Sequence, residues 1–248
     1  MSGKFSLYCK KFCSSLLSLL LIIGLLGATV MPVSAEEVAT DTDSATTDDV
    51  TVDISTDTDS EENLGRTICD SGVSGGIKWT FYTDGHLDVK VSGDLPYEPH
   101  SMDPATKQTR YWPWYHRFDV IKTVKVSGKG LTKAQHMFDN IRMTSIDLSG
   151  LDTSQVTNME CMFDCCASLK TLDLSNFNTS KVTKMGDMFG HCEALTKVNV
   201  SSFDTRNVTD MHDMFICCRA LKKLDLSNFN TKKVTTMGSM FTWAESLE

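Results

Sequence analysis

The sequence lacks the short motifs that mark the commonest catalytic sites. We identify no nucleophile elbow, no H-E-x-x-H pair and no glycine-rich phosphate loop. The six histidines are scattered and share no metal-ligand spacing. Outside the repeated segments described below there is also no isolated set of serine, histidine and aspartate. The sequence therefore predicts that the protein is not an enzyme and has no cofactor and no metal site.

Residues 36–64 lack positive charge and aromatic side chains altogether. This stretch contains eleven Asp or Glu residues and no Lys or Arg. Such a composition cannot bury enough apolar surface to offset the entropy of ordering, so the stretch is predicted to be a disordered acidic Thr/Asp/Ser spacer. Without it, residues 65–248 are formally neutral, and the composition gives no reason to expect a nucleic-acid partner.

The first 35 residues have the pattern of a secretory signal peptide. Three lysines precede an apolar run over residues 12–30, and Val-Ser-Ala at residues 33–35 offers a small-residue cleavage site. We expect cleavage after Ala35 and no membrane span in the mature chain. The alternative is an uncleaved transmembrane anchor, because the apolar run is near the lower length limit for crossing a bilayer.

The second half of the chain is internally repetitive. The stretch LDLSNFNTSKVTKMGDMF at residues 172–189 returns as LDLSNFNTKKVTTMGSMF at residues 224–241. Equivalent strand-like segments begin at Ile146, Leu172, Val198 and Leu224, each 26 residues after the previous one. A fixed period of this length predicts a solenoid, in which each unit buries its apolar face only against its neighbours.

Each repeat contains two apolar segments. Leu172 and Leu174 alternate as in a short strand that points every second side chain inward. Val182, Met185 and Phe189 recur at helical spacing, continued by Cys192, and predict one face of a short helix. Threonines at the start of the predicted helical segments are predicted helix N-caps: Thr157, Thr183, Thr209 and Thr235. The predicted fold class is an α/β solenoid of short parallel strands and short helices.

An N-terminal cap is predicted over residues 65–119, with the solenoid at residues 120–248. Alternating apolar residues flank Asp84-Gly85, which indicates a β-hairpin. Each repeat forms one rung of the predicted solenoid, and the first rung is a degenerate repeat at residues 121–127. The aromatic run at residues 111–118 could cover this rung or could instead stack on sugar rings. At the other end the last rung is open, and no sorting signal or wall-binding module follows it, so we expect the chain to be a fragment or an early-terminated product.

At these residues the chain resembles the BspA-like leucine-rich-repeat surface proteins of bacteria. The resemblance covers Ile121 to Glu248, where the repeat reads close to LDLSNFDTSNVTNMSxMFxxCxxL. It implies a leucine-rich-repeat right-handed coil in a protein that is secreted to the extracellular space or the bacterial cell surface. It also implies a role in adhesion through protein–protein interaction, with extracellular host or microbial proteins as partners. The alternatives are a structural cell-envelope module with no ligand of its own and a fragment of a larger secreted hydrolase.

The cysteines of the repeats admit three interpretations. Cys166, Cys192 and Cys218 share one register, where the last repeat has Ala244, so a small buried side chain is the first interpretation. Secretion would also permit disulfide bonds between neighbouring rungs. A zinc site is the third interpretation, but ladder positions run parallel and do not converge as tetrahedral ligands must.

The outward positions of the predicted strands form the candidate binding face. Aspartates or asparagines repeat there beside lysines and serines, and solenoids commonly bind ligands through such an extended sheet surface. A solvated strand face on which Lys relieves Asp–Asp repulsion is the alternative. The candidate residues are Asp147, Lys170, Asp173, Ser175, Lys197, Asn199, Ser201, Lys223, Asp225 and Ser227.

Overall fold

A computed structural model describes residues 65–248 of the protein. The predicted signal peptide and acidic spacer lie outside these residues. The described part consists of short strands joined by turns, together with one 3-10 turn at Tyr115–Arg117. The strands are β1 (Ile68–Ser74), β2 (Ile77–Tyr82), β3 (His86–Val91), β4 (Thr123–Gly128), β5 (Ser145–Leu151), β6 (Thr171–Asp173) and β7 (Lys197–Asn199).

The strands form a mixed sheet followed by a parallel pair. β1, β2 and β3 pair antiparallel, whereas β3–β4, β4–β5 and β6–β7 pair parallel. The predicted hairpin is confirmed as β2–β3, with Gly85 at φ 89° in its turn. β1 was not predicted, because its exposed residues carry no strong apolar alternation. Since β3 pairs with β4, one sheet runs across the predicted boundary between cap and solenoid.

The prediction of short helices is wrong: residues 65–248 contain no α-helix. The segment expected to be helical, residues 182–192, is a chain of turns linked to neighbouring rungs by isolated parallel bridges. Asp187 and His191 have φ values of 53° and 56°, in the left-handed region that an α-helix of L-residues excludes. The same two positions are left-handed in the other repeats, at Cys161, Cys165, Asp213, Cys217, Ser239 and Trp243.

The hydrogen bonds of this segment run between rungs. The N–H groups of Met185, Asp187 and Phe189 donate to carbonyls of the next rung at 2.8–3.0 Å. The intervening N–H groups of Met188 and Gly190 close local turns instead. Alternate amides therefore bind the next rung as in a β-ladder, although the apolar side chains keep a helix-like spacing.

The inward-facing prediction for the same segment is confirmed. Val182, Met185, Phe189 and Cys192 are completely buried. The predicted threonine N-caps are wrong, because there is no helix for them to cap. Instead, each hydroxyl donates at 3.1–3.2 Å to the carbonyl of the equivalent position in the preceding rung: Thr157 to Thr132, Thr183 to Thr157, Thr209 to Thr183 and Thr235 to Thr209.

Two columns of stacked phenylalanines run through the core. The first has ring centroids 5.2–6.0 Å apart and consists of Phe138, Phe163, Phe189, Phe215 and Phe241. The second has spacings of 6.3–6.5 Å and consists of Phe177, Phe203 and Phe229. Nearly parallel stacking follows from the repeat itself, because equivalent side chains of adjacent rungs lie above one another. These columns explain why the same residue types return every 26 residues.

Two tryptophans cap the first column, which confirms the predicted cap role of the aromatic run for these side chains. Trp114 stacks on Phe138 with a centroid distance of 6.2 Å, and Trp112 stacks on Trp114. Both indoles are buried, and their N–H groups donate to the carbonyls of Gln135 and Met137 at 2.9 Å. In the later rungs, the carbonyls at the equivalent positions accept hydrogen bonds from backbone N–H groups of the preceding rung. The indoles therefore supply the apolar surface and the donors that a further rung would provide.

The last rung leaves several apolar side chains exposed. Met237, Phe241 and Trp243 are 48%, 41% and 53% exposed, whereas the equivalent Met211, Phe215 and Cys217 are buried. Among residues 65–248, no helix has the length and apolarity needed to cross a membrane.

Candidate functional site

The structure places all ten candidate residues on the outer surface of the rungs. We call this set the polar strand face: Asp147, Lys170, Asp173, Ser175, Lys197, Asn199, Ser201, Lys223, Asp225 and Ser227. Nine of them are exposed, and Asn199 is half-buried. Neighbouring members lie in cross-strand register: Asp173 faces Asn199, whose side-chain amide donates to the Asp173 carboxylate at 3.0 Å.

The carboxylates of the polar strand face have a structural role that the sequence did not reveal. In each repeat, the backbone N–H of the serine two residues later donates to the Asp or Asn side chain, which closes a turn at the strand end. The distances are 3.0 Å for Ser149 to Asp147, 3.0 Å for Ser175 to Asp173, 3.2 Å for Ser201 to Asn199 and 2.9 Å for Ser227 to Asp225. These serine hydrogen bonds lower the pKa values of Asp147, Asp173 and Asp225.

The lysines of the polar strand face have no comparable structural role. Lys170, Lys197 and Lys223 are exposed. After the hydrogen bonds from Ser175 and Asn199, the charge of Lys197 also lowers the pKa of Asp173. The lysines are therefore the members of the face whose substitution changes surface charge without removing a turn contact.

The repeat cysteines match the first of the three interpretations. Cys166, Cys192 and Cys218 are buried free thiols. Each S–H donates at 3.1–3.2 Å to the carbonyl of a phenylalanine in the preceding rung: Phe138, Phe163 and Phe189. Burial raises the pKa of all three thiols, that of Cys218 to about 12. These residues are packing groups with a satisfied donor, because a raised pKa disfavours the reactive thiolate.

One short stretch formally matches a nucleophile motif. Residues 72–76, GVSGG, have the spacing G-x-S-x-G. Ser74 is the last residue of β1, and a turn leads directly into β2 of an antiparallel pair. A nucleophile elbow requires a strand followed by a helix, so this serine does not have that geometry.

The structure brings histidines and aspartates together that appear scattered in the sequence. Three groups lie along the rungs, and within each group one potential ligand atom per residue lies within 4.8 Å of the others. The groups are His100 with His136 and Asp139 of the first rung, then Asp164, Cys165 and His191 from two adjacent rungs, then Asp187, His212 and Asp213. The sequence did contain an indication of the last group, because Asp187 and Asp213 occupy the same position in consecutive repeats.

The best-defined surface depressions are shallow. One of about 540 Å³ is lined by Ser92, Lys129 and Asp152 among others, and one of about 240 Å³ lies between Asp94, Glu98 and Trp112.

Comparisons with known proteins give a family match and a distant structural likeness. Residues 132–248 match a family described as "Mycoplasma protein of unknown function, DUF285". No curated protein matches the chain. A leucine rich cell surface protein from Faecalibacterium prausnitzii A2-165, solved by crystallography, is similar at 15% identity with a TM-score of 0.29, covering 73% of this chain. The alignment spans 54% of that protein's length, and the fold described above is based on this chain's own contacts.

Proposed function

We propose that the protein is a BspA-like bacterial surface protein, secreted and displayed outside the cell, that binds an extracellular host or microbial protein through its polar strand face. Residues 120–248 would then form a leucine-rich-repeat right-handed coil in which turns replace the expected helices. The proposal includes no enzymatic activity: the protein acts by presenting surface area. It is supported by the repeat resemblance and by the regular exposure of one polar row across the rungs.

The observation that carries the proposal is the side-chain composition of the polar strand face. Exposed lysines and aspartates lie close together there, with Lys197 opposite Thr171 and Asp173 opposite Asn199, over a core that fixes their spacing. A surface of mixed charge suits a protein partner with complementary charges, since such complementarity controls specificity and the association rate. A nucleic acid would instead require a predominantly basic surface.

The test compares two triple charge reversals in the full chain. Lys170, Lys197 and Lys223 are changed to Glu on the polar strand face. The control changes Lys181, Lys184 and Lys232, which are exposed in other parts of the rungs, to Glu. Both variants lose the same charge, and neither removes an Asp that closes a turn. Binding is measured against extracellular-matrix proteins and co-resident bacterial surfaces.

We expect saturable binding by the parent that the first variant weakens by about tenfold or more and the control leaves nearly unchanged. Equal losses in both variants would contradict a specific role for the polar strand face. No binding by a folded parent would favour the structural-module alternative.

A further inference from the structure

The group formed by Asp187, His212 and Asp213, here named the His212 cluster, joins two neighbouring rungs. The Nε2 atom of His212 lies 3.0 Å from Oδ2 of Asp187. Potential ligand atoms of all three residues lie within 4.8 Å of one another. Ligand atoms bound to one ion at about 2.0–2.2 Å must lie roughly 3–3.5 Å apart, so small side-chain rotations would place these groups around one ion.

The imidazole of His212 is oriented by a carboxylate of its own rung. Its Nδ1 atom lies 2.6 Å from Oδ1 of Asp210, which also accepts the backbone N–H of His212 at 3.1 Å. A carboxylate on Nδ1 fixes the tautomer and leaves Nε2 as the coordinating atom, as in carboxylate–histidine–metal triads. Asp210 would therefore be an outer partner and not a ligand.

The backbone around the cluster is shaped to accept this imidazole. A Cβ atom at Gly186 would lie 2.4 Å from Cε1 of His212, so a larger residue there would displace the ring from its present position. Asp187 and Asp213 both have φ 53°, and their N–H groups donate to the next rung at 2.8 and 3.0 Å. Their carboxylates are therefore placed by fixed backbone positions in adjacent rungs, and not by mobile loops.

The charge balance of the region also favours a cation. The Asp187 and Asp164 carboxylates both lie beside Gly190, where an added Cβ atom would be 2.8 Å from Oδ1 of Asp164 and 3.4 Å from Oδ1 of Asp187. Both have histidines as their ion-pair partners within residues 65–248. Carboxylates crowded without a Lys or Arg partner cost free energy, which a bound divalent ion would offset.

We propose that His212 Nε2 and the carboxylates of Asp187 and Asp213 bind one divalent transition-metal ion of the zinc class, oriented by Asp210. One imidazole and two carboxylates suit Zn²⁺, Co²⁺ or Mn²⁺ and leave at least one position for water or an external ligand. This site is independent of the proposed adhesive function. Bound metal would tie two adjacent rungs together on the side of the repeat formed by turns.

The test uses the full chain, first stripped of metal with a chelator. Zn²⁺ is titrated by calorimetry, and Co²⁺ by its visible absorption, which reports the coordination number. Asp187→Asn, Asp213→Asn and His212→Asn remove one ligand each, and Asn tolerates the left-handed backbone at positions 187 and 213. His136→Asn is the matched control, because it alters the different histidine–aspartate group of the first rung.

We expect one equivalent of either ion to bind to the parent and to the His136→Asn control. Each ligand variant should lose at least about tenfold in affinity while keeping the parent circular-dichroism spectrum, and Asp210→Asn should lose about 10- to 100-fold. The proposal is overturned if the folded parent takes up neither ion. It is equally overturned if the Asp187→Asn and Asp213→Asn variants bind like the parent, or if only His136→Asn abolishes binding.

Discussion

Replacing Phe189 with alanine lowers the free energy of unfolding by about 3–5 kcal/mol, the range for a fully buried aromatic side chain in a core. Phe189 is completely buried, and its ring stacks on Phe163 at 6.0 Å and on Phe215 at 5.2 Å. The cavity would open between two rungs that both depend on this contact, so little relaxation is available to fill it. Denaturant unfolding of parent and variant measures the difference.

Phe241→Ala is the matched control for this prediction. Phe241 occupies the same column but has a neighbour on one side only and is 41% exposed. Its replacement should cost clearly less, because part of the ring remains in water in the folded state. If both variants lost the same stability, the two rings that stack on Phe189 would not both contribute to its stabilisation.

Replacing Trp114 with alanine is expected to cost about 3–5 kcal/mol as well, because it uncovers Phe138 and removes the donor to Met137. Trp114→Phe separates the two contributions. It keeps most of the apolar surface but leaves the Met137 carbonyl buried without its indole donor, which costs about 1–3 kcal/mol. Denaturant unfolding followed by circular dichroism would measure both variants.

Trp243→Phe serves as the control for the cap. Trp243 is 53% exposed at the last rung, so its conservative replacement should change the free energy of unfolding by no more than about 0.5 kcal/mol. If Trp114→Phe were equally harmless, the indole N–H of Trp114 would not substitute for a backbone donor, and the cap would be apolar packing alone.

Much of the core could be predicted from the repeat pattern. The hairpin β2–β3, the inward positions of Leu172 and Leu174, and the buried Val182, Met185 and Phe189 all agree with the structure. These predictions succeeded because burial depends on which side chains share a face, and the repeat fixes that directly. Period and residue type are enough for such a statement.

The local conformation of the Met-Phe segment could not be predicted in the same way. Side chains at helical spacing face one side both in a helix and in a series of turns whose alternate N–H groups reach the next rung. The distinction depends on left-handed residues such as Asp187 and His191. Asp, Asn and His are enriched in that region of backbone space, but the signal is weak at any single position.

The candidate sites differ in how far sequence alone could define them. The exposed position of Asp173 followed from strand alternation, but its turn contact with the Ser175 N–H depends on the chain bending directly after the strand. The His212 cluster was missed because its ligand spacing runs between rungs. Only the 26-residue offset, which places Asp187 beside Asp213, connects these residues.

The central structural claim is that the Met-Phe segments bind rung to rung and not within a helix. Couplings across hydrogen bonds, measured by NMR between amide nitrogens and carbonyl carbons, test it most directly. The structure predicts couplings from the Asp187 amide to the His212 carbonyl and from the Phe189 amide to the Met214 carbonyl. Couplings from these amides to Thr183 and Met185, four residues earlier in the same rung, would show a helix and contradict the account.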